Sequence, residues 1–407
     1  MYFIARSWRA ETSSAKVMSI GAQVAAIKRL NEAAHGGSGA MLKSLSIKNF
    51  RLFRKLEVDS LNRVNLIAGE NNSGKTALLE ALYLLFGDVR SFMDFPSALR
   101  SSFETDQTRG HVPVFADEFE NFWLWLFNQR NLRRPIEIEG VGDDDTALED
   151  TYLVKLSDEG SRDSTGFAFD YFKDGRKVSS SAVSKGDGAT GSDKPAKPGT
   201  ERPSLADRVK SIAREKAADS GWPKLVTFST NPSSPTEDAE YFNQIAAKRG
   251  GEKRLVKLLQ VVEPRLQDLK YLKLASQPLV YADVGMEDLI PTTQLGQGFT
   301  RLLRLYSETL VGRAKIVLID EIENGIHYSA MPKVWKGIAA IAQQEDLQFF
   351  ATTHSYECIR SAHEAFSSEG SYDLALHRLE RVKDEIRVVT YDKSTLETSF
   401  EMNLEVR

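Results

Sequence analysis

One segment, GENNSGKT, is polar and flexible and lies between two apolar runs. It spans Gly69–Thr76, after Val64–Ala68 and before Ala77–Phe86. It matches G-x-x-x-x-G-K-[ST] at each fixed position, and the flanking runs predict a buried strand before it and a helix after it. Such a strand–loop–helix presents backbone N–H groups and a helix N-terminus to an anion. We therefore expect a phosphate-binding loop; the alternative is a glycine-rich turn with an incidental lysine.

The residues of this loop have separate expected contacts with a nucleoside triphosphate. Lys75 is expected to neutralise the β- and γ-phosphates, and the Thr76 hydroxyl to ligate Mg²⁺. No N-K-x-D motif is present, which disfavours a GTPase. The backbone that surrounds the phosphates is expected to come from Gly69, Glu70, Asn71, Asn72, Ser73 and Gly74.

A second segment, KIVLIDEIENG, predicts a buried strand over 314–320 that ends in adjacent carboxylates. Ligands of open α/β sheets bind at the carboxyl edge of the strands. Asp320 is expected to hold Mg²⁺, and Glu321 to polarise the water that attacks the γ-phosphate. The alternative is a strand that runs into an acidic, solvated turn, and the phosphate loop argues against it.

Two further motifs fall at element ends. TTHS follows a strand predicted over 347–352, so His354 can reach the γ-phosphate or the attacking water; the alternative is a histidine hydrogen-bonded at a strand end. In QLGQGFTRLL, Gly296 and Gly298 open a helix predicted over 299–310, a second anion site. Two such sites are more than one subunit needs for one nucleotide. They are explained if a second copy docks head to tail, so that each nucleotide lies between the phosphate loop of one chain and this helix start of the other. The alternative is a turn without a ligand.

Composition narrows the class of protein. The 53 basic residues nearly balance the 57 acidic ones, a net charge of −4, which argues against a chain-wide nucleic-acid-binding field. The single cysteine, Cys358, excludes an internal disulfide and fits a reducing compartment. No apolar stretch approaches a membrane span and no signal peptide is recognisable. We expect a cytoplasmic protein.

The chain divides into four parts by composition and pattern. Strands alternate with helices in the last third, which predicts parallel strands covered by helices. The middle contains predicted short strands at RPIEIEGV, TYLVKL and FAFDYF. It also contains a helical stripe from Leu255 to Leu269 that Pro264 interrupts. The expected parts are a flexible N-terminal extension at 1–40 (with a plausible start at Met41), the first part of an ATPase head at 41–88, an inserted region at 89–285 with a low-complexity loop at 179–204, and the second part of the head at 286–407.

In order, IKNFRLF, the phosphate loop, LGQG, DEIENGIH and TTHS resemble an ABC-type ATPase head of the RecF/SMC/OLD family. They look most like the OLD-like ATPases of bacterial anti-phage defence. The resemblance implies an α/β P-loop NTPase fold, a mixed sheet with flanking helices and a helical or mixed insertion, and ATP hydrolysis.

The resemblance also implies roles for single residues. Gly298 corresponds to a signature glycine that acts across a dimer, and Gly296 replaces the usual signature serine. His354 corresponds to the switch histidine, and 324–327 to the loop that crosses the dimer interface. Arg51 corresponds to a nucleotide-contacting arginine; the alternative is a solvated charge in a turn. No residue can be assigned to the glutamine loop.

Three functions remain open. The leading one is an ATPase whose nucleotide-driven homodimerisation, or higher assembly, controls a separate effector such as a Toprim nuclease, because the residues after His354 are too few for a Toprim domain. The second is a RecF-like repair ATPase that binds DNA through the basic clusters RNLRRP and KRGGEKR. The third is a nucleotide-dependent scaffold without turnover.

Overall fold

Two six-stranded sheets form the framework of the structure, a computed structural model. All described residues belong to one unit that begins at residue 40. The structure describes residues 41–87, 123–143, 149–158, 166–184, 223, 225–228, 234–273, 277–311, 314–368 and 371–407.

The strands and helices are numbered in chain order. The strands are β1 (Met41–Phe50), β2 (Phe53–Val58), β3 (Val64–Gly69), β4 (Ile136–Asp143), β5 (Glu149–Asp158), β6 (Gly166–Lys173), β7 (Arg176–Ser184), β8 (Leu225–Phe228), β9 (Asp268–Leu272), β10 (Leu279–Asp283), β11 (Ile290–Pro291), β12 (Ile316–Ile319), β13 (Gln348–Thr352), β14 (Leu374–Val382) and β15 (Glu385–Tyr391). The helices are α1 (Lys75–Phe86), α2 (Pro235–Ala246), α3 (Gly251–Leu259), α4 (Gln297–Leu310), α5 (Met331–Gln344), α6 (Tyr356–Ser367) and α7 (Lys393–Glu401).

The sheet that carries the site has the order β15-β14-β3-β13-β12-β8. All its neighbours pair in parallel except β14 with β15. Side chains of each strand alternate between two cores: Val317 and Ile319 face one, and Ile316 and Leu318 face the other. This confirms the prediction of a P-loop α/β head with a mixed sheet and flanking helices.

Helix α1 lies between the two large sheets. Its ten residues from Ala77 to Phe86 are all buried. It contacts β3 and β13 on one side and β4 and β5 on the other. Apart from Glu80 these ten residues are uncharged and mostly apolar, and a helix that is apolar on nearly every side is stable only when it is enclosed. The enclosure fixes the helix start, which is the part of the element that an anion would meet.

The predicted boundaries of the middle region do not coincide with those of the sheets. Its predicted strands are present as β4, β5 and β6, but together with β7 they extend the antiparallel sheet of β1 and β2, in the order β2-β1-β4-β5-β6-β7. Strand β8 pairs with β12 in the other sheet. Strands from 89–285 therefore take part in both six-stranded sheets, while β9 and β10 pair in a third, three-stranded sheet. The sequence did not indicate these pairings, because strand partners far apart in sequence leave no local signal.

Two local predictions are wrong in part. The loop predicted at 179–204 begins later, because β7 continues to Ser184 in register with β6; residues 185–204 lie outside the described part, as does the extension at 1–40. The helical stripe ends at Leu259. Pro264 has no N–H with which to continue a helix, and Leu269 lies on β9 opposite Ala282.

The elements of the last third are confirmed within about two residues. The predicted helix at 299–310 begins two residues earlier, at Gln297, and the strand predicted at 347–352 is β13. The carboxyl end adds β14, β15 and α7. Among the described residues no helix is long and apolar enough to cross a membrane.

A buried polar network ties β14 to the strand that leads into the phosphate loop. His377 on β14 is 1% exposed; its Nε2 lies 3.2 Å from Asn65 Oδ1 on β3, and its Nδ1 lies 3.0 Å from Thr390 Oγ1 on β15. Burial lowers the pKa of His377 from its usual 6.5 to about 4. The folded chain therefore holds this histidine neutral at a pH at which the unfolded chain would protonate it.

We predict that His377 contributes an acid-sensitive part of the stability. Because its pKa is lower in the folded chain, its contribution is complete above pH 6.5 and falls between pH 6.5 and 4, by up to about 1.4 kcal/mol per pH unit. His377→Gln should remove this slope from the free energy of unfolding, measured by urea titration at several pH values. His327→Gln, at an exposed position, should leave it in place. An unchanged slope in His377→Gln would contradict the assignment.

Candidate nucleotide-binding site

The phosphate loop turns from β3 into α1 with glycine geometry at both ends. Gly69 has φ +141° and Gly74 has φ +101°. A Cβ on Gly69 would lie 2.6 Å from the carbonyl oxygen of Leu379, and one on Gly74 would lie 2.8 Å from the Phe53 ring. Neither position can take a side chain without displacing its neighbours. The requirement for glycine in the sequence motif therefore has a packing cause here.

Lys75 is the first residue of α1, and its ammonium folds back onto the loop. Nζ donates to the carbonyl oxygens of Gly69 at 2.6 Å and of Glu70 at 2.9 Å. Burial lowers the pKa of Lys75, and the negative charges of three carboxylates oppose that shift, those of Asp320, Glu321 and Glu323. The loop and the carboxylate strand are thus close enough to interact electrostatically.

Asp320 is held in place by a threonine of the neighbouring strand. The Thr352 hydroxyl donates to Asp320 Oδ1 at 2.6 Å, and Thr352 Oγ1 accepts from Glu321 N at 2.8 Å. Thr352 is fully buried and Asp320 is 8% exposed. The remaining carboxylate oxygen of Asp320 has no hydrogen-bond partner within the described residues. Thr352 was not singled out in the sequence, because a threonine at a strand end is common and its partner lies 32 residues away.

Glu321 differs from its neighbours in conformation and in contacts. Its φ is +47°, an uncommon value for a residue with a side chain. No hydrogen bond to its carboxylate occurs in the part of the chain that the structure describes. The backbone after it is fixed by bonds from Ile322 N to Thr352 O at 3.1 Å and from Asn324 N to Glu321 O at 2.9 Å. The carboxylate is therefore available for a ligand or water.

Glu323 is joined to the residues that follow β13. Its Oε1 accepts from the Thr353 hydroxyl at 2.9 Å and from His354 N at 3.0 Å, and lies 3.2 Å from His354 Nδ1. The His354 side chain is 57% exposed. The alternative reading of His354, a histidine hydrogen-bonded at a strand end, describes its Nδ1 side only. Sequence reasoning assigned no role to Glu323.

The helix start at Gly296 is joined to the same carboxylate turn from the other side. Gly296 has φ +91° and open space where a side chain would be, whereas a Cβ on Gly298 would lie 2.4 Å from Gly325 O. One turn later, Arg301 donates to Asp320 O at 2.5 Å and to Asn324 O at 2.9 Å. Gly298 is therefore required in this chain for packing, whatever it does across a dimer.

Arg51 lies in the turn between β1 and β2, where it contacts α1. Its Nε donates to Glu80 Oε2 at 3.0 Å, and Glu80 is 1% exposed. The solvated turn charge that was the alternative reading does not describe this residue, because its side chain is only 14% exposed. The ion pair gives Arg51 a structural role, and contact with a nucleotide stays a prediction.

The donor set at the strand edge suits Mg²⁺. The Thr76 hydroxyl and the Asp320 carboxylate are hard oxygen ligands, and Mg²⁺ usually takes one or two such groups and completes its shell with phosphates and water. No cluster of three or more His, Cys, Asp or Glu residues able to hold a metal occurs among the described residues. The residues fit a metal that arrives with a nucleotide better than a permanent metal centre.

Phosphate loop, carboxylate strand and glycine-started helix on one mixed sheet define a P-loop ATPase with the architecture of an ABC-type head. The chain belongs to the family described as "AAA domain, putative AbiEii toxin, Type IV TA system", which matches residues 64–360. The match spans every motif from β3 to the start of α6. The chain is an enzyme that hydrolyses ATP.

Relatives and solved structures agree with this class. An "ATP/GTP phosphatase" of Helicobacter pylori is 23% identical over 333 residues, 78% of this chain and 86% of that protein. A RecF "DNA replication and repair protein" of Oenococcus oeni is 50% identical over 44 residues, 11% of this chain and 12% of RecF. An Smc head domain derived from Pyrococcus furiosus, bound to the C-terminal domain of ScpA, gives a TM-score of 0.52 at 12% identity, over 89% of this chain and 99% of that one. At that identity the likeness shows the fold alone.

We predict that Thr352→Val lowers ATP turnover by about ten- to a hundredfold, the range for partners that orient a catalytic or metal-binding group. The substitution keeps the volume of the side chain but leaves Asp320 Oδ1 and Glu321 N without their shared partner. Turnover is measured with the purified chain at saturating ATP and Mg²⁺.

Thr309→Val is the matched control for this prediction. Thr309 is 1% exposed, and its hydroxyl donates to Leu305 O and Tyr306 O within α4, away from the carboxylates. It should keep wild-type turnover. Equal losses in the two variants would mean that removal of any buried hydroxyl is enough, and would refute the role given to Thr352.

Proposed function

We propose that the chain binds ATP between two copies of itself, and that hydrolysis of this ATP switches a separate effector. The observation that carries the proposal is the partition of the carboxylates after β12. Asp320 and Glu323 are held by the end of β13, and Glu321 is left unbonded within the field of Lys75. This is the arrangement expected of one metal-binding, one positioning and one water-activating carboxylate.

The residues take the following roles in this proposal. The backbone of the phosphate loop and Lys75 hold the triphosphate, and Arg51 adds a contact. Thr76 and Asp320 hold Mg²⁺, which screens the charge on the phosphates. Glu321 polarises the attacking water, and His354 contacts the γ-phosphate or that water.

A second copy of the chain supplies the rest of the site. Open space at Gly296 leaves the start of α4 accessible to an anion from outside the chain. The neighbouring loop presents Tyr328, which is 68% exposed and whose ring lies 4.5 Å from that of His327. An aromatic pair that is exposed beside an anion site favours an interface formed only when nucleotide is bound. In a head-to-tail pair, the phosphate loop of each copy would face the start of α4 in the other copy.

The effector is proposed to be a separate protein, a nuclease or a toxin, acting in defence against phage. The resemblance to OLD-like ATPases supports this, and the description of the family names a toxin of a Type IV TA system. Among the described residues no group of three or more His, Cys, Asp or Glu side chains is placed to hold a metal ion. ATP binding and hydrolysis by this chain would then control when the effector is active.

Direct DNA binding, as in a RecF-like repair ATPase, is the second candidate, and the short matches to RecF favour it. The two basic clusters give it weak support. In KRGGEKR, Lys248 donates to two carbonyl oxygens at the end of α4, and Arg254 pairs with Glu345. In RNLRRP, Arg130 stacks over the Trp125 ring at 3.9 Å. These side chains serve contacts within the chain.

We predict that Glu321→Gln traps an ATP-bound dimer. The amide keeps the shape of the side chain but cannot act as a base, so ATP bound between two copies stays intact. With ATP and Mg²⁺ the variant should elute at twice the monomer mass in light scattering coupled to gel filtration, with turnover reduced at least about a hundredfold.

Two controls accompany this measurement. Glu364→Gln, an exposed carboxylate of α6, should behave as wild type. Addition of Lys75→Ala to Glu321→Gln should abolish the dimer. A Glu321→Gln variant that binds ATP but stays monomeric would refute dimerisation. If wild type fails to turn over ATP with DNA and host extract present, the chain is a nucleotide-dependent scaffold.

The trapped dimer is also the best bait for the effector. Purification of Glu321→Gln from the native host with ATP should recover a nuclease or toxin that Lys75→Ala does not retain. Salt-dependent binding of DNA by the purified dimer, with no protein recovered, would instead favour the RecF-like function.

A further inference from the structure

We propose that Glu323 is a positioning residue for His354: its carboxylate fixes the loop that carries the histidine and anchors one side of the imidazole. This inference rests on the proposed role of His354 in ATP hydrolysis. Nothing in the sequence motifs gives Glu323 a role of its own.

One carboxylate oxygen serves the whole loop. Oε1 of Glu323 accepts from Thr353 Oγ1 at 2.9 Å and from His354 N at 3.0 Å, and His354 Nδ1 lies 3.2 Å away. The next residue continues the arrangement, because Ser355 N donates to Thr353 Oγ1 at 3.1 Å and Ser355 caps α6. The backbone of the loop is therefore set by the glutamate on one side and by the helix cap on the other.

Burial shows that this is not a surface ion pair. The side chain of Glu323 is 14% exposed, whereas that of His354 is 57% exposed. Oε2 of Glu323 is buried and has no hydrogen-bond partner within the described residues. An unsatisfied buried carboxylate oxygen costs on the order of 1–3 kcal/mol. Such a cost is usually kept where a site needs the group.

The charges around Glu323 connect it to the nucleotide site. Its negative charge acts on the Lys75 ammonium and on the Arg301 guanidinium. With Nδ1 of His354 against the carboxylate, Nε2 is the ring nitrogen left for a phosphate or water. The contact restricts the rotation of the imidazole. A ring that is open to solvent but held on one side is suited to meet a ligand in a single orientation.

The test is Glu323→Gln in wild-type and His354→Ala backgrounds. The amide oxygen can still accept from Thr353 Oγ1 and His354 N, so the loop should keep its fold while the charge beside Nδ1 is lost. In the wild-type background kcat should fall about ten- to a hundredfold with the KM for ATP changed less than about twofold. In the His354→Ala background the same substitution should change kcat by less than about twofold, because the two residues act as one unit.

A readout independent of turnover is the ¹⁵N spectrum of labelled imidazoles. The His354 resonances, assigned by their loss in His354→Ala, should shift in Glu323→Gln. They should not shift in Glu357→Gln, a replacement in the same region whose carboxylate bonds to Ser355. Unshifted His354 resonances in Glu323→Gln would overturn the proposal.

The remaining outcomes separate this inference from the proposed function. Equal losses of kcat from Glu323→Gln in both backgrounds would assign it a role independent of His354 and overturn the inference alone. Wild-type kcat in His354→Ala would overturn the proposed role of His354, and this inference with it. A fall in melting temperature of Glu323→Gln that accounts for its lost activity would reduce Glu323 to a structural residue.

Discussion

The hydrogen bonds between the ends of β12 and β13 decide which carboxylates of this site are free for chemistry. The Thr352 hydroxyl donates to Asp320 and the Thr353 hydroxyl donates to Glu323. Two of the three acidic side chains are therefore bonded to the end of the neighbouring strand. Glu321 lies between them with a positive φ and keeps its carboxylate unbonded among the described residues. Two threonines thus divide a short acidic segment into groups with different surroundings.

That division depends on packing further from the site. Helix α1 is enclosed between two sheets, which fixes the phosphate loop relative to the carboxylate edge of the parallel sheet. On the other side, Arg301 donates hydrogen bonds to the carbonyl oxygens of Asp320 and Asn324, and Gly298 packs against Gly325. The turn that carries Glu321 is therefore clamped from both directions. Strain at this residue persists because its neighbours determine its backbone.

The arginine clamp also joins the two parts of the proposed composite site. The same helix whose start is proposed to meet the partner's ATP is bonded through Arg301 to the turn that acts on the chain's own ATP. Burial lowers the pKa of Arg301, and the surrounding carboxylates of Glu323, Asp320 and Glu321 oppose that shift. A movement of α4 on contact with a partner would therefore shift the turn that carries Glu321. This gives a physical route by which dimerisation can regulate turnover.

Sequence predicted the elements whose signals are local. The phosphate loop, the strand into Asp320 and Glu321, and the alternation after residue 286 all follow from periodicity and motif spacing. The four-residue strand β8 was missed, because its place beside β12 depends on a partner 91 residues away. The positioning contacts of Thr352, Glu323 and Arg301 were missed for the same reason, since each is a tertiary contact with no fixed spacing. The strands of the middle region were predicted but their pairing was not, because β4 to β7 extend the sheet of a hairpin that precedes the phosphate loop.

The central claim is that each ATP lies between the phosphate loop of one chain and the start of α4 of another. Gln297→Glu tests the second half of that site, because a carboxylate at the first helical position suits the helix dipole but repels a phosphate. Lys75→Ala tests the first half. The decisive measurement is the ATP turnover of an equal mixture of these two variants.

If the sites are composite, half of the dimers in the mixture are mixed and each of these contains one intact site of two. The mixture should then regain about a quarter of wild-type turnover although neither variant is active alone. Turnover that stays at the mean of the two inactive variants would contradict the shared site, provided that gel filtration shows the two chains assembled together.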